Sequence, residues 1–487
     1  MGVMDDEEKE ILIEMLVANS LPIRTMEGEP SNDEDESHEI SSPQHDKLTS
    51  LKYQYAMQRL IVDYFNYDSM QVTVSDLQRS VMTTLIDLAD DPRVLEEFTE
   101  GRPSENLENS SQSPTDPSLP VEKTVEDDGL VEVFSAKMDA IKQNWGETPS
   151  REFTIWFPWH IRWGDDPPAF EIYGHTFESA DQSEWRPRLE EIAHGPDVSG
   201  GGYILQEIED ANYDVWRTTI SSRTPRWAML RFKNALEILS AQLNHSAYFT
   251  DYQTRADRLD RMSGDTRDGG RWSAIQRPFA VFYVDECVDE HPYTPHWGAN
   301  VYHRGGRPEV SLDYSSLSNR FDTHLPFEDL QVGYEPLLHD VLVDYQQGLT
   351  ETDHRRSFIN FWRVIEELSL AGQGQKKVTV ERALFALELV TDGEYDPIVE
   401  RVADEIWEVR NTRTHETGWI HIGTEHETVA KVLADAMIGL YLTEFVDTDG
   451  SVDESKIRRV FRWATKSGTA REETQEALNT VNRLLGE

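Results

Sequence analysis

Residues 352–370 read TDHRRSFINFWRVIEELSL. Phe358, Phe361, Trp362, Ile365 and Leu368 recur there at three- and four-residue spacing, the period of one helix face. The stretch predicts an amphipathic helix that ends at Gly372, and its surroundings repeat the signal. Pro336 opens a segment carrying Leu337, Leu338, Val341, Leu342 and Tyr345, expected to stop at Gly348. Val380 to Val390 makes a third helix. Pro397 stands where a first-turn proline belongs for a fourth, which bears Ile398, Val402, Ile406 and Val409. Val429 to Phe445 makes a fifth. Short loops between helices that each carry one apolar face describe an antiparallel bundle over residues 331–450.

Upstream the period changes. Residues 130–330 mix strand and helix, which predicts an α+β domain. EFTIWFPWHIRW (152–163) and FEIYGHTF (170–177) suggest a hairpin, with Pro158 marking an edge strand or a bulge. Pro225 to Tyr252 reads as a helix, Phe279 to Val284 and Glu309 to Tyr314 as strands, and Arg255 to Trp272 as a loop. Residues 101–129, rich in Ser, Pro, Asn and Asp, read as a disordered linker. Residues 51–100 predict two helices, the second with Ser75 and Gln78 as a capping box. Residues 1–50 carry 14 acids against three bases and read as a disordered acidic tail. Residues 451–487 form a helical extension. The fold class expected is therefore multidomain α+β, with an all-α C-terminal bundle.

The chain has 487 residues, 46 basic against 91 acidic, a formal charge of −45. Thirteen Trp, 17 Tyr and 18 Phe exclude a wholly disordered chain. No run approaches 18 apolar residues and the first ten residues are acidic, so neither a membrane nor a secretory destination is expected. The cytoplasm is. Cys287, the single cysteine, fits a reducing compartment as a buried thiol. The acid excess runs through the folded segments as well as the tails, which predicts adaptation to high salt, as in a halophilic archaeon, the alternative being a surface that mimics or repels nucleic acid. Near 1 M salt the Debye length is about 3 Å, and repulsion between surface carboxylates is largely screened.

One motif carries chemistry. The fourth helix ends in Arg410-Asn411-Thr412-Arg413-Thr414-His415. An Arg-Asn pair with a His at this distance arises by chance about 0.03 times in such a chain. Thr412 and Thr414 are poor helix formers and Gly418 follows, so a turn is expected here that brings Arg410 and His415 to one side. In a continuous helix, five residues would set them roughly 140° apart.

These residues bring a family into view. Residues 333–447 resemble the Apea-like branch of the HEPN superfamily: an aromatic-rich early helix with paired acids, FINFWRVIEELS with Glu366 and Glu367, then IWEVRNTRTHETG with Arg410, Asn411 and His415. Arg413 within the motif and Trp419 after it depart from the family pattern. The resemblance implies a helical bundle that dimerises with two motifs facing one another. It also implies metal-independent endoribonuclease activity leaving 2′,3′-cyclic phosphate ends, in antiviral defence or abortive infection. Other members of that superfamily serve as non-catalytic modules binding RNA, a nucleotide or a partner protein, which is the alternative.

The residue types suit this chemistry. A His with a pKa near 6.5 can take the proton of a ribose 2′-OH as that oxygen attacks the phosphate. An Arg, always charged and bidentate, stabilises the phosphoryl oxygens. Asn411 would position His415 or donate to the phosphate, and Glu366, Glu367 and Arg413 are supporting candidates. The bland alternative is that Arg410 pairs with Glu366 or Glu367 while His415 caps a helix. Arg458, Arg459, Arg462 and Lys466 form a weaker candidate strip for RNA, with a bundle-capping helix as its alternative. Trp156, Phe157, Trp159 and Trp163 suit a core better than base stacking. His291, His296 and His303 match no metal-site spacing, so no metal and no cofactor are expected. The partners expected are RNA, a second copy of the chain, and a foreign trigger molecule sensed by residues 130–330.

Overall fold

The computed structural model describes residues 54–67, 69–89, 128–159, 161–194, 205–206, 208–209, 214–249, 274–278, 280–285, 293–297, 310–324, 335–351, 353–370, 376–415, 422–446 and 454–464. Side chains at 85–89, 128–134, 191–194, 284–285, 293–297, 335–336, 376, 410–415, 454 and 464 fall outside that description. The acidic tail, the 255–272 loop, Cys287, His291, His303 and Lys466 lie outside the described residues, as does the side chain of His296. The fold is mixed α+β and mostly helical, in two compact units: Met1–Glu152 with Ser221–Leu230, and Phe153–Ile220 with Arg231–Glu487.

The first unit holds α1 (residues 54–65, closing in a π-turn Leu60–Phe65), α2 (Val74–Ala89) and α3 (Asp128–Glu147). Leu60, Ile61, Phe65, Leu77, Val81 and Met138 form its core. The cap of α2 is Thr73 with Asp76, and Ser75 with Gln78 plays no such part. The Asp76 N–H donates to Thr73 Oγ1 at 3.2 Å, and the Thr73 N–H returns a bond to Asp76 Oδ2 at 3.2 Å. Helix α3 begins two residues inside the segment expected as linker, and packs on α2. Arg223 ties this unit together by donating to the carbonyls of Met70, Gly146 and Thr148.

The second unit contains a six-stranded sheet of order β3-β4-β5-β1-β6-β7. Its strands are β1 (Arg151–Trp159), β3 (Phe170–Ile172), β4 (His175–Ser179), β5 (Asp214–Ser222), β6 (Ala280–Asp285) and β7 (Tyr293–Trp297). A separate parallel pair joins β2 (Ile161–Trp163) to β8 (Val310–Leu312). The expected hairpin between 152–163 and 170–177 does not form. Residues 170–179 close on themselves instead, because Tyr173 and Gly174 both take positive φ, 53° and 70°, and turn β3 into β4. Nor is β1 an edge strand: it lies between β5 and β6, and its register with β6 spans Phe153 to Trp156, so Pro158 stands beyond the stretch paired with β6. Trp156, Phe157 and Trp159 are buried among Phe282, Phe177, Phe232 and Trp216, so this run is core and offers no stacking surface. Two further helices accompany the sheet: α4 (Gln182–His194) and α6 (Tyr314–Phe321), the latter directly after β8.

Helix α5 (Pro225–Tyr248) meets, through Asn244, His245 and Tyr248 at its C-terminal end, a bundle of α7 (Glu335–Thr350), α8 (His354–Ser369), α9 (Lys376–Val390), α10 (Ile398–His415) and α11 (Thr424–Leu440, extended by a π-turn Tyr441–Phe445). Gly348 lies inside α7 and does not end it. A Cβ there would stand 2.7 Å from the buried Phe361 ring, so the bare backbone is what lets α7 and α8 close on one another. Helix α8 starts on Asp353, whose carboxylate accepts from the N–H groups of Arg355 and Arg356. It ends on Leu370 in the left-handed region, with the carbonyl of Leu368 accepting from Tyr441 Oη at 2.6 Å. Helix α12 (Glu454–Ala464) buries Ile457 and Phe461, the latter edge-on to Phe445 at 5.9 Å.

Candidate functional site

Helix α10 reaches the motif through Val399, Val402, Ala403, Ile406 and Val409, all buried. The helix does not break at the hexapeptide: it runs on to His415, contrary to the expected turn. Each Thr disfavours a helix by under about 0.7 kcal/mol, too little to end one already committed by its packed face. At 100° per residue, positions 410 and 413 continue the buried face of Ile406, whereas position 415 falls about 180° from Ile406 and roughly 140° from position 410. The side chains of Arg410, Asn411, Arg413 and His415 lie outside the described residues.

Glu366 and Glu367 occupy the last turn of α8. Burial raises the Glu367 carboxyl above its ordinary range, and the carboxylates Asp344 and Asp340 of α7 raise it further. The electrostatic neighbourhood of Glu367 is thus acidic, apart from Arg363, which stands 3.8 Å from Asp344. On α12, Arg458, Arg459 and Arg462 are exposed, while Phe461 and Trp463 turn inward; Trp463 meets Phe385 at 5.4 Å. The helix therefore caps the bundle and presents a basic face as well.

At the end of the bundle that holds the motif, His426 opens α11. Its Nδ1 accepts from the Gly423 N–H at 3.0 Å, so the ring proton sits on Nε2, which faces Glu405 of α10 at 3.7 Å. This contact ties the start of α11 to α10 five residues before Arg410, about 7.5 Å along the axis.

Deeper in the unit lies a polar stripe. Glu427, Lys431 and Asp435 follow one another at four-residue spacing along α11, each with no exposed surface. Lys431 Nζ pairs with Asp435 Oδ2 at 2.6 Å and donates to the Tyr248 carbonyl of α5. His245 Nε2 stands 3.2 Å from the Asp435 carbonyl, which can only accept, so Nε2 carries the proton and Nδ1 accepts from His324 Nε2 at 3.0 Å. Both rings are neutral. Burial takes the His245 pKa down to about 3 and holds His324 well below its ordinary value. A ring of three bonds, Asn244 to Gln346, Gln346 to the Ile275 carbonyl and the Ile275 N–H to Asn244, completes the join of α5 to α7.

This network went unread in the sequence, although charged residues at 427, 431 and 435 inside an otherwise apolar helix were its visible signal. Among the described residues, no group of three or more His, Cys, Asp or Glu side chains could hold a metal ion, and no helix is long and apolar enough to cross a membrane. Comparison of the chain with protein-family profiles, curated proteins and solved structures gives no match.

Proposed function

We propose that residues 331–450 form a HEPN-type ribonuclease module and that Arg410, Asn411 and His415 cut RNA without a metal. The observation that carries this reading is the motif's place at the C-terminal end of α10, within an antiparallel bundle of the expected helices. His415 takes the 2′-OH proton as the 2′-oxygen attacks phosphorus. The bond from phosphorus to the 5′-oxygen breaks, that oxygen gains a proton, and a 2′,3′-cyclic phosphate remains. Arg410 stabilises the phosphoryl charge.

The 140° between positions 410 and 415 is awkward for one chain and suits two: across a two-fold axis, Arg410 of one copy serves the same phosphate as His415 of the other. The exposed arginines of α12, Arg458, Arg459 and Arg462, supply a path for the RNA backbone. In this reading the α+β part senses a foreign trigger, in a cytoplasmic protein of a salt-adapted cell, and α5 is the element through which binding would bias the bundle.

Cleavage of RNA by the full chain in molar salt with EDTA tests the proposal. His415→Ala and Arg410→Ala should each lose at least a hundredfold in rate. Mixed dimers of the two variants should recover activity, since one of their two composite sites keeps both residues. Variants that cleave at the parent rate would refute the assignment, and mixed dimers that stay inactive would refute the shared site. The same unbroken helix favours a second reading, a non-catalytic module that binds RNA, a nucleotide or a partner protein; binding of RNA without cleavage would select it.

A further inference from the structure

A cleft of about 490 Å³ opens where α5, α6, α9, α11 and α12 meet, within the 300–1,000 Å³ range of small-molecule sites. Phe249, Leu440, Phe445 and Val460 give it apolar walls. A Cβ on Gly439 would come within 2.8 Å of the Phe249 ring, so the missing side chain is what seats that wall. Among the described residues two cations, Arg320 and Lys456, and one anion, Glu444, also line it, a fixed charge of +1. His245 at the floor adds none, being neutral. A net positive apolar cleft is unusual on a chain of formal charge −45.

Arg320 is exposed, and its guanidinium lies 5.0 Å from the Phe249 ring centroid. A cation on an aromatic face is held in place without using its N–H donors, which stay able to bind a carboxylate in bidentate fashion. We propose that this cleft binds a small amphiphilic monocarboxylate, its apolar body along Phe249, Leu440 and Phe445 and its carboxylate on Arg320. The single net charge selects a monoanion over a phosphate dianion. The site stands apart from the Arg410–His415 motif, although it shares α12 with the arginines proposed for RNA: from the cleft end of α11 to its start near the motif, the 17-residue helix spans about 25 Å.

Calorimetric titration of the full chain in molar potassium chloride with octanoate, octanol and inorganic phosphate tests the proposal. Octanoate should bind, octanol at least tenfold more weakly, and phosphate not detectably. Arg320→Gln should weaken octanoate at least tenfold and leave octanol unchanged, with Arg320→Lys between; Arg320 is exposed, so an unshifted thermal midpoint without ligand will show the variants folded. Equal binding of octanoate and octanol, phosphate binding as tight as octanoate, no heat with octanoate, or an Arg320→Gln variant that binds octanoate like the parent would each overturn it. Loss of RNA cleavage would not bear on it.

Discussion

Lys431 and Asp435 form an ion pair with neither side chain exposed, at 2.6 Å. Desolvation of two charges largely cancels their attraction, but removing one partner strands the other. Lys431→Met and Asp435→Leu should therefore each destabilise the chain by about 3–5 kcal/mol, and the double variant by less than either. Denaturation in molar salt measures all three, and additive losses would contradict the coupling. His245 and His324 give a second test. Both are neutral when folded and charge in the unfolded chain below about pH 6.5, so the unfolded state binds more protons as pH falls from there, for His245 down to about 3 and for His324 down to a folded value well below its ordinary one. Stability should be fully present above pH 6.5 and fall by about 1.4 kcal/mol per pH unit for each ring. The raised Asp344 and Glu367 oppose this at the acid end, being protonated when folded before the unfolded chain is. Urea midpoints between pH 7 and 5 will show the slope, and His245→Phe should flatten it.

At the scale of elements, Gly348 joins local sequence to packing. Gly348→Ala should gain about 1 kcal/mol of helix propensity, yet its Cβ would press on the fully buried Phe361 ring at 2.7 Å. The net expectation is a loss of about 1–2 kcal/mol, seen as a lower denaturant midpoint at unchanged slope. The same residue shows where sequence reading stops. The helices at 335–350, 354–369, 376–390, 398–415 and 424–440 were legible because each repeats apolar residues at helical spacing over three turns or more. Gly348 was read as a stop because a bare glycine looks alike whether it ends a helix or admits a neighbour's ring. Strand pairing was less legible, since Tyr173-Gly174 is a two-residue turn inside a run that alternates as one strand would. For the candidate site, the motif's residues were plain in the sequence and its geometry was not: two weak helix formers suggested a turn, and the packed face upstream carried the helix through them.

For the whole molecule, the bundle shares buried contacts with a helix outside residues 331–450. Its buried charges find partners on α5, which lies upstream of residue 331: Tyr248 receives Lys431, and His245 meets the Asp435 carbonyl. A fragment of residues 331–487 should fail to fold, with no near-ultraviolet circular dichroism and no cooperative unfolding; a sharp transition would show that the bundle closes without α5. An excised bundle is therefore the wrong reagent for asking whether the upstream residues restrain it, and substitutions in the full chain are the right one. The shared helix also sets a clock. His245 and Asp435 are 190 residues apart in the chain. A ribosome adding 5–20 residues per second takes roughly 10–40 s to travel between them. For that interval α5 has left the tunnel with its polar face complete and its partners on α11 unwritten, so the nascent chain holds a half-made contact far longer than the microseconds a helix needs to form. Helix α11 ends the wait.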